Sequence, residues 1–152
     1  FETSSSLADY LIVQELAGDE WPQYKTRLLK HLKSTNYTSH KIDIYLHEGM
    51  LPEAMRVVDR RGYYGTGDLN RVVEAAASQY PDWAIQKCQK QAESIMDAGQ
   101  SKSYDTAVEW LRRAKSIALA TGRKAEWQDY LGSLLALHVR KYSLMPKLKT
   151  LI

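Results

Sequence analysis

Glycine and proline cut this chain into helix-length pieces. Gly49, Gly62, Gly99 and Gly122 each close a stretch whose apolar residues recur every three or four positions, and Pro52 and Pro81 sit where a new helix begins. Glycine accepts the left-handed backbone that ends a helix, and proline fits the first turn, where its missing N–H costs nothing. No stretch alternates apolar and polar residues with a period of two, so no strand is expected. The spacing predicts helices over about 6–17, 20–33 and 39–48, and a fourth from Pro52 to Gly62. A fifth is capped by Asp68, a sixth begins at Pro81, two more cover about 104–121 and 124–142, and a short terminal one begins near Pro146. Expected inward residues include Tyr10 and Leu11, Trp21 and Tyr24, Ile42 and Tyr45, the Ala84/Cys88/Ala92 row, Trp110 and Leu111, and Trp127, Leu131 and His138.

Short links between consecutive helices imply antiparallel neighbours. Predicted helix pairs start near 39, 68 and 104, at intervals close to those of helical solenoids but not constant. The expectation is an all-α fold of about eight helices, built as antiparallel hairpins in a right-handed superhelix resembling tetratricopeptide repeats. At 152 residues the chain suits a single domain. It has no initiator Met and no basic segment leading into an apolar core. It therefore reads as a piece of a longer chain, with residues 1–6 as a serine-rich linker. No apolar run reaches the ~20 residues of a membrane span. Nothing in the one cysteine, Cys88, argues for an oxidising compartment, so a cytoplasmic location is expected.

Chemistry is sparse. His31, His40, His47 and His138 are dispersed, with no spacing that builds a metal site, and Cys88 alone makes none. Gly62, Gly65 and Gly67 follow no strand and match no phosphate-loop pattern. No serine sits in a nucleophile elbow. The expectation is a protein without catalysis, cofactor or metal.

Binding features are better represented. Of fifteen aromatics, ten are Tyr and four Trp, types that suit half-wet interfaces. Tyr63 and Tyr64, adjacent in a glycine-rich loop, are the best candidates for a contact surface. Residues 101–152 carry ten bases against four acids, while the rest of the chain is mildly acidic. Arg112, Lys115, Arg123 and Lys124 are candidates for one basic edge, with His138, Arg140 and Lys141 at the end of the last long helix. Such an edge would suit an anionic partner.

From Ile42 onward the chain resembles a known family. The carrying segments are Ile42-Asp43-Ile44-Tyr45-Leu46-His47-Glu48-Gly49 with Glu53-Ala54, Tyr80-Pro81-Asp82-Trp83, and Ala92-Glu93-x-Ile95-Met96-Asp97-Ala98-Gly99. Tyr104-x2-Ala107-x2-Trp110-Leu111 and the run from Trp127 to Lys141 complete the set. Together they resemble the C-terminal helical region of bacterial, particularly cyanobacterial, SWIM-type zinc-finger proteins. The family's Cys-x-Cys…Cys-x-His motif is not in this chain, so no zinc ligand carries over. The resemblance implies a tetratricopeptide-like helical scaffold within a larger zinc-finger protein and leaves the role of that scaffold undefined. The function expected of the chain is non-catalytic binding of a protein partner. The alternative is a nucleic-acid-binding module using the basic C-terminal third.

Overall fold

The computed structural model describes residues 1, 3–61 and 66–152. Among them are nine α-helices and no strand: α1 Leu7–Ala17, α2 Trp21–Ser34, α3 Thr38–His47, α4 Leu51–Arg61, α5 Thr66–Ala76, α6 Pro81–Asp97, α7 Tyr104–Ala120, α8 Lys124–Leu137 and α9 Met145–Lys149. Short 3-10 turns, Gly18–Glu20 and Ser101–Ser103, precede α2 and α7. The chain divides into two compact units, Phe1–Ala75 and Ala76–Ile152.

In the first unit, α1 starts with Ser6, whose hydroxyl accepts from the Asp9 N–H at 3.2 Å. Apolar residues run all round α1, so its inward face is hard to read from spacing. Tyr10 is fully buried, whereas Leu11, expected inward, is 40% exposed. The Tyr10 ring meets Trp21 edge-on at 5.0 Å, and its hydroxyl donates to Glu48 Oε1 at 2.8 Å. Glu48 in turn pairs with Lys25 at 2.9 Å. One side chain thus fastens α1 to α2 and to the end of α3. Tyr24, also expected inward, is partly exposed, and the inward face of α2 falls to Leu28 and Leu32. The residues before α1 are packed too: Ser5 is buried, and Phe1 lies beside Tyr10 and His31.

Gly49 closes α3 as its place in the sequence requires. Its φ of +71° suits glycine, and the Met50 N–H reaches back to the Tyr45 carbonyl at 2.8 Å. The chain reverses here. Lys41 near the start of α3 feels the charge of Arg60 near the end of α4, and Tyr45 feels those of Glu53 and Arg56. That register is antiparallel. Asp68 does not cap α5, because the helix begins two residues earlier at Thr66. It lies in the first turn, accepting from Ser39 at 2.8 Å and pairing with Arg71 at 3.2 Å. The expected stop at Gly62 lies outside the described residues.

The second unit is built on α6 and α7. Their facing sides are lined with small residues: Ala84, Cys88 and Ala92 on α6, and Ala107, Ala114 and Ala118 on α7, all buried. Small side chains let two helix backbones approach closely, with Leu111 and Met96 filling the margins. Gly122, with φ +75°, ends α7, and the Arg123 N–H bonds the Ala118 carbonyl at 2.7 Å. Arg123 then reaches Asp82 at the start of α6 through two hydrogen bonds, of 2.6 and 3.3 Å. The end of one helix meets the start of the other, so this pair is antiparallel.

Helix α8 joins α6 through the Tyr130 hydroxyl, which donates to Glu93 Oε1 at 2.7 Å. It ends at Leu137, five residues before the expected stop at 142. The cause is the packing of the chain beyond it. Lys141 turns back to donate to the Met96 carbonyl at 2.7 Å, and Leu144, Leu148 and Leu151 are buried. A straight continuation of α8 would leave those leucines in water.

Substitution of Ala114 by Leu should wedge α6 from α7. Overpacking of this kind costs about 1–3 kcal/mol, so denaturant or thermal unfolding of the full chain should show a clear loss of stability. The same change at exposed Ala120 should show almost none.

Candidate functional site

The C-terminal unit carries an apolar groove of about 590 Å3. Helix α8 supplies Lys124, Trp127, Gln128, Leu131, Gly132 and Leu135 to it, a spacing of three and four that places them on one face. Lys115 and Leu119 come from α7, and the terminal Leu151 and Ile152 complete the wall. Trp127, Leu131 and Leu151 are buried beneath it. Leu119 and Ile152 are 46% and 80% exposed, a wet margin of large apolar side chains. The size falls within the range of ordinary binding clefts.

Gly132 is the least expected part of this face. It lies inside α8, exposed, and a Cβ added there would meet nothing within 4 Å. A glycine inside a helix costs about 1 kcal/mol relative to alanine. No neighbour within the chain requires it, and its effect is to leave bare backbone on the groove wall.

Of the expected basic edge, Lys115 and Lys124 come together on this groove. Arg112 is engaged elsewhere, with Glu109 at 3.5 Å and Thr150 Oγ1 at 3.2 Å. Arg123 belongs to Asp82, beside a smaller cavity of about 240 Å3 that also includes Glu126. Its hydrogen bond to Asp82 is the main reason that its guanidinium is held more basic and the Asp82 carboxyl more acidic than usual. Arg113 stacks on Trp110, 4.6 Å from the ring centroid, and Lys147 pairs with Asp105 at 2.5 Å. Lys141 closes the end of α6, while Arg140 is exposed. Tyr63 and Tyr64 lie outside the described residues.

His138 is buried as the C-cap of α8, and its Nε2 has no hydrogen-bond partner. Burial first, and then the Lys141 charge, hold it below its ordinary value of 6.5, against the opposing pull of Asp97 and Glu93. The ring belongs to the core, and the groove does not include it. Cys88 is equally withdrawn: burial pushes its thiol up to about 12, far from a reactive thiolate.

Among the described residues no group of three or more His, Cys, Asp or Glu could hold a metal ion, and no helix is long and apolar enough to cross a membrane. No family model matches the chain, and neither does any curated protein or solved structure.

Sequence reasoning finds Lys115 and Lys124 but misses Gly132, Leu119 and Ile152 as groove residues. The i, i+4, i+8 spacing of Lys124, Gln128 and Gly132 beside Leu131 and Leu135 is the available signal.

The lowered His138 value fixes a pH dependence. Between the folded and unfolded pKa values the unfolded chain binds a proton that the folded chain does not, so stability there rises with pH. The contribution is intact above about pH 6.5 and is lost as pH falls towards the folded value. Chemical denaturation of the full chain at about pH 7.5 and about pH 5.5 should show lower stability at the acid end. His138→Gln should flatten that difference, and an unchanged slope would mean that other groups cause it.

Proposed function

We propose that this chain is a non-catalytic helical scaffold that binds a protein partner, and that the α7–α8 groove is its docking surface. The supporting observation is the groove itself: exposed apolar margins, bare backbone at Gly132 and two lysines on one face. Its occupant is an amphipathic partner helix with leucine-sized anchors and acidic residues placed to meet Lys115 and Lys124. Gly132 allows that helix to approach α8 closely.

The wider setting belongs to the same reading. Antiparallel pairs within each unit support a tetratricopeptide-like superhelix. The segments that resemble SWIM-type zinc-finger proteins support a place in a larger, bacterial, cytoplasmic protein of that kind, with zinc held elsewhere in the parent chain. The nucleic-acid alternative is less well supported. Arg112, Arg123 and Lys147 already face carboxylates, Arg113 lies on an indole, and Lys141 is bonded to a backbone carbonyl. A phosphate backbone needs several uncommitted cations on one face.

Fluorescence anisotropy with designed amphipathic peptides tests this. A leucine-faced helix with a glutamate rim should bind the full chain, and the same helix with a lysine rim should bind at least about ten-fold more weakly. Leu119→Asp and Lys124→Glu should each abolish binding of the acidic peptide. Gly132→Leu should block it while leaving the chain folded, because the added side chain enters open space. Equal binding of both peptides would overturn the reading. Tight, steeply salt-dependent binding of labelled duplex DNA, weakened by Arg140→Ala with Lys141→Ala, would favour the nucleic-acid alternative.

A further inference from the structure

The N-terminal unit holds a cavity of its own, opposite in character to the apolar groove. It has a volume of about 250 Å3 and is lined by Lys33, Lys41, Arg56, Arg60, Tyr45 and Glu53. Four cations face one carboxylate. The helices force this arrangement. Glu53, Arg56 and Arg60 recur at steps of three and four on α4, Lys41 and Tyr45 are one turn apart on α3, and the hairpin at Gly49 lays these faces together. Lys33 joins from the last turn of α2, and its carbonyl accepts from Lys41 Nζ at 3.1 Å.

The positive charge is poorly compensated from within. The nearest pair is Arg56 with Glu53, and at 3.8 Å it is loose. Among the described residues Lys33, Lys41 and Arg60 have no carboxylate in ion-pair range. Lys41 is held below its ordinary basicity, by burial first and by the Arg60 charge second. Packing does not call for this concentration of charge, since exposed cations add little to a fold.

We propose that this cavity binds the dianionic phosphate group of a small phosphate monoester. Two guanidinium forks and two ammonium groups match an oxyanion with several acceptor oxygens, and the Tyr45 phenol is a neutral donor on the same wall. A carboxylate would leave most of the positive charge unmet, whereas a phosphate monoester brings about −1.5 to −2 at pH 7. The volume is several times the ~30 Å3 that a water molecule occupies. It lies below the ~300 Å3 at which drug-sized sites begin. That suits a phosphate with a short organic tail. Glu53 sets the opposing limit, because its carboxylate repels the ligand and holds Arg56 back.

The test is a titration of the full chain with glycerol 3-phosphate, and separately with inorganic phosphate, at ionic strength held constant with sodium chloride. Amide chemical shifts are the readout. Both ligands should give saturable shifts concentrated in residues 41–60, with Kd near 1 mM or tighter. Arg60→Gln should weaken binding by about ten-fold or more. Its side chain is exposed, so the fold should survive and the remaining spectrum should stay unchanged. Glu53→Gln should tighten binding, an opposite sign that general damage to the unit would not produce. Shifts that merely follow ionic strength, or equal affinity in all three proteins, would overturn the proposal. Tighter binding of inorganic phosphate than of glycerol 3-phosphate would overturn the monoester assignment. Loss of peptide binding at the α7–α8 groove would leave these results untouched.

Discussion

Close contact between α6 and α7 is the constraint on which the C-terminal unit rests. Three small residues on each helix meet face to face, so the two backbones lie nearer than a leucine-lined seam would allow. Helix α8 then rests on α6 through Tyr130 and Glu93, and the terminal leucines close over α7 and α8. The groove exists because α7, α8 and the chain end meet without filling the space between them. Everything proposed for that surface depends on α7 keeping its position.

The N-terminal unit is organised differently. A single aromatic, Tyr10, connects its first three helices by ring contact and hydrogen bonding. Glu48 is the acceptor at the end of that chain. Its burial opposes ionisation, but hydrogen bonds from Lys25 and Tyr10 outweigh that and keep its carboxyl below the usual value. One unit is therefore secured by shape, the other by a polar anchor with aromatic walls.

Much of the fold is legible because helix ends are local chemistry. Gly49 and Gly122 announce themselves by composition, and Pro81 marks the start of α6 to the residue. Where long-range packing decides, local reading fails. The apolar run through α1 gives no direction, so Leu11, expected inward, is left 40% exposed. The end of α8 is set by Lys141 reaching Met96, a contact between residues 45 apart in sequence. The binding features are less legible still. Five of the ten bases in the last third of the sequence are engaged by carboxylates, an indole or a carbonyl. Lys41 and the three cations around it are spread over three helices and leave no cluster in the sequence to notice.

Cys88 gives the tight seam a use beyond architecture. It is the one cysteine in the sequence, it sits between the alanines of α6, and its thiol is fully covered. An alkylating reagent can reach it only when the two helices part. The speed of its modification is therefore a built-in clock for the breathing of this unit, readable by mass without an engineered label.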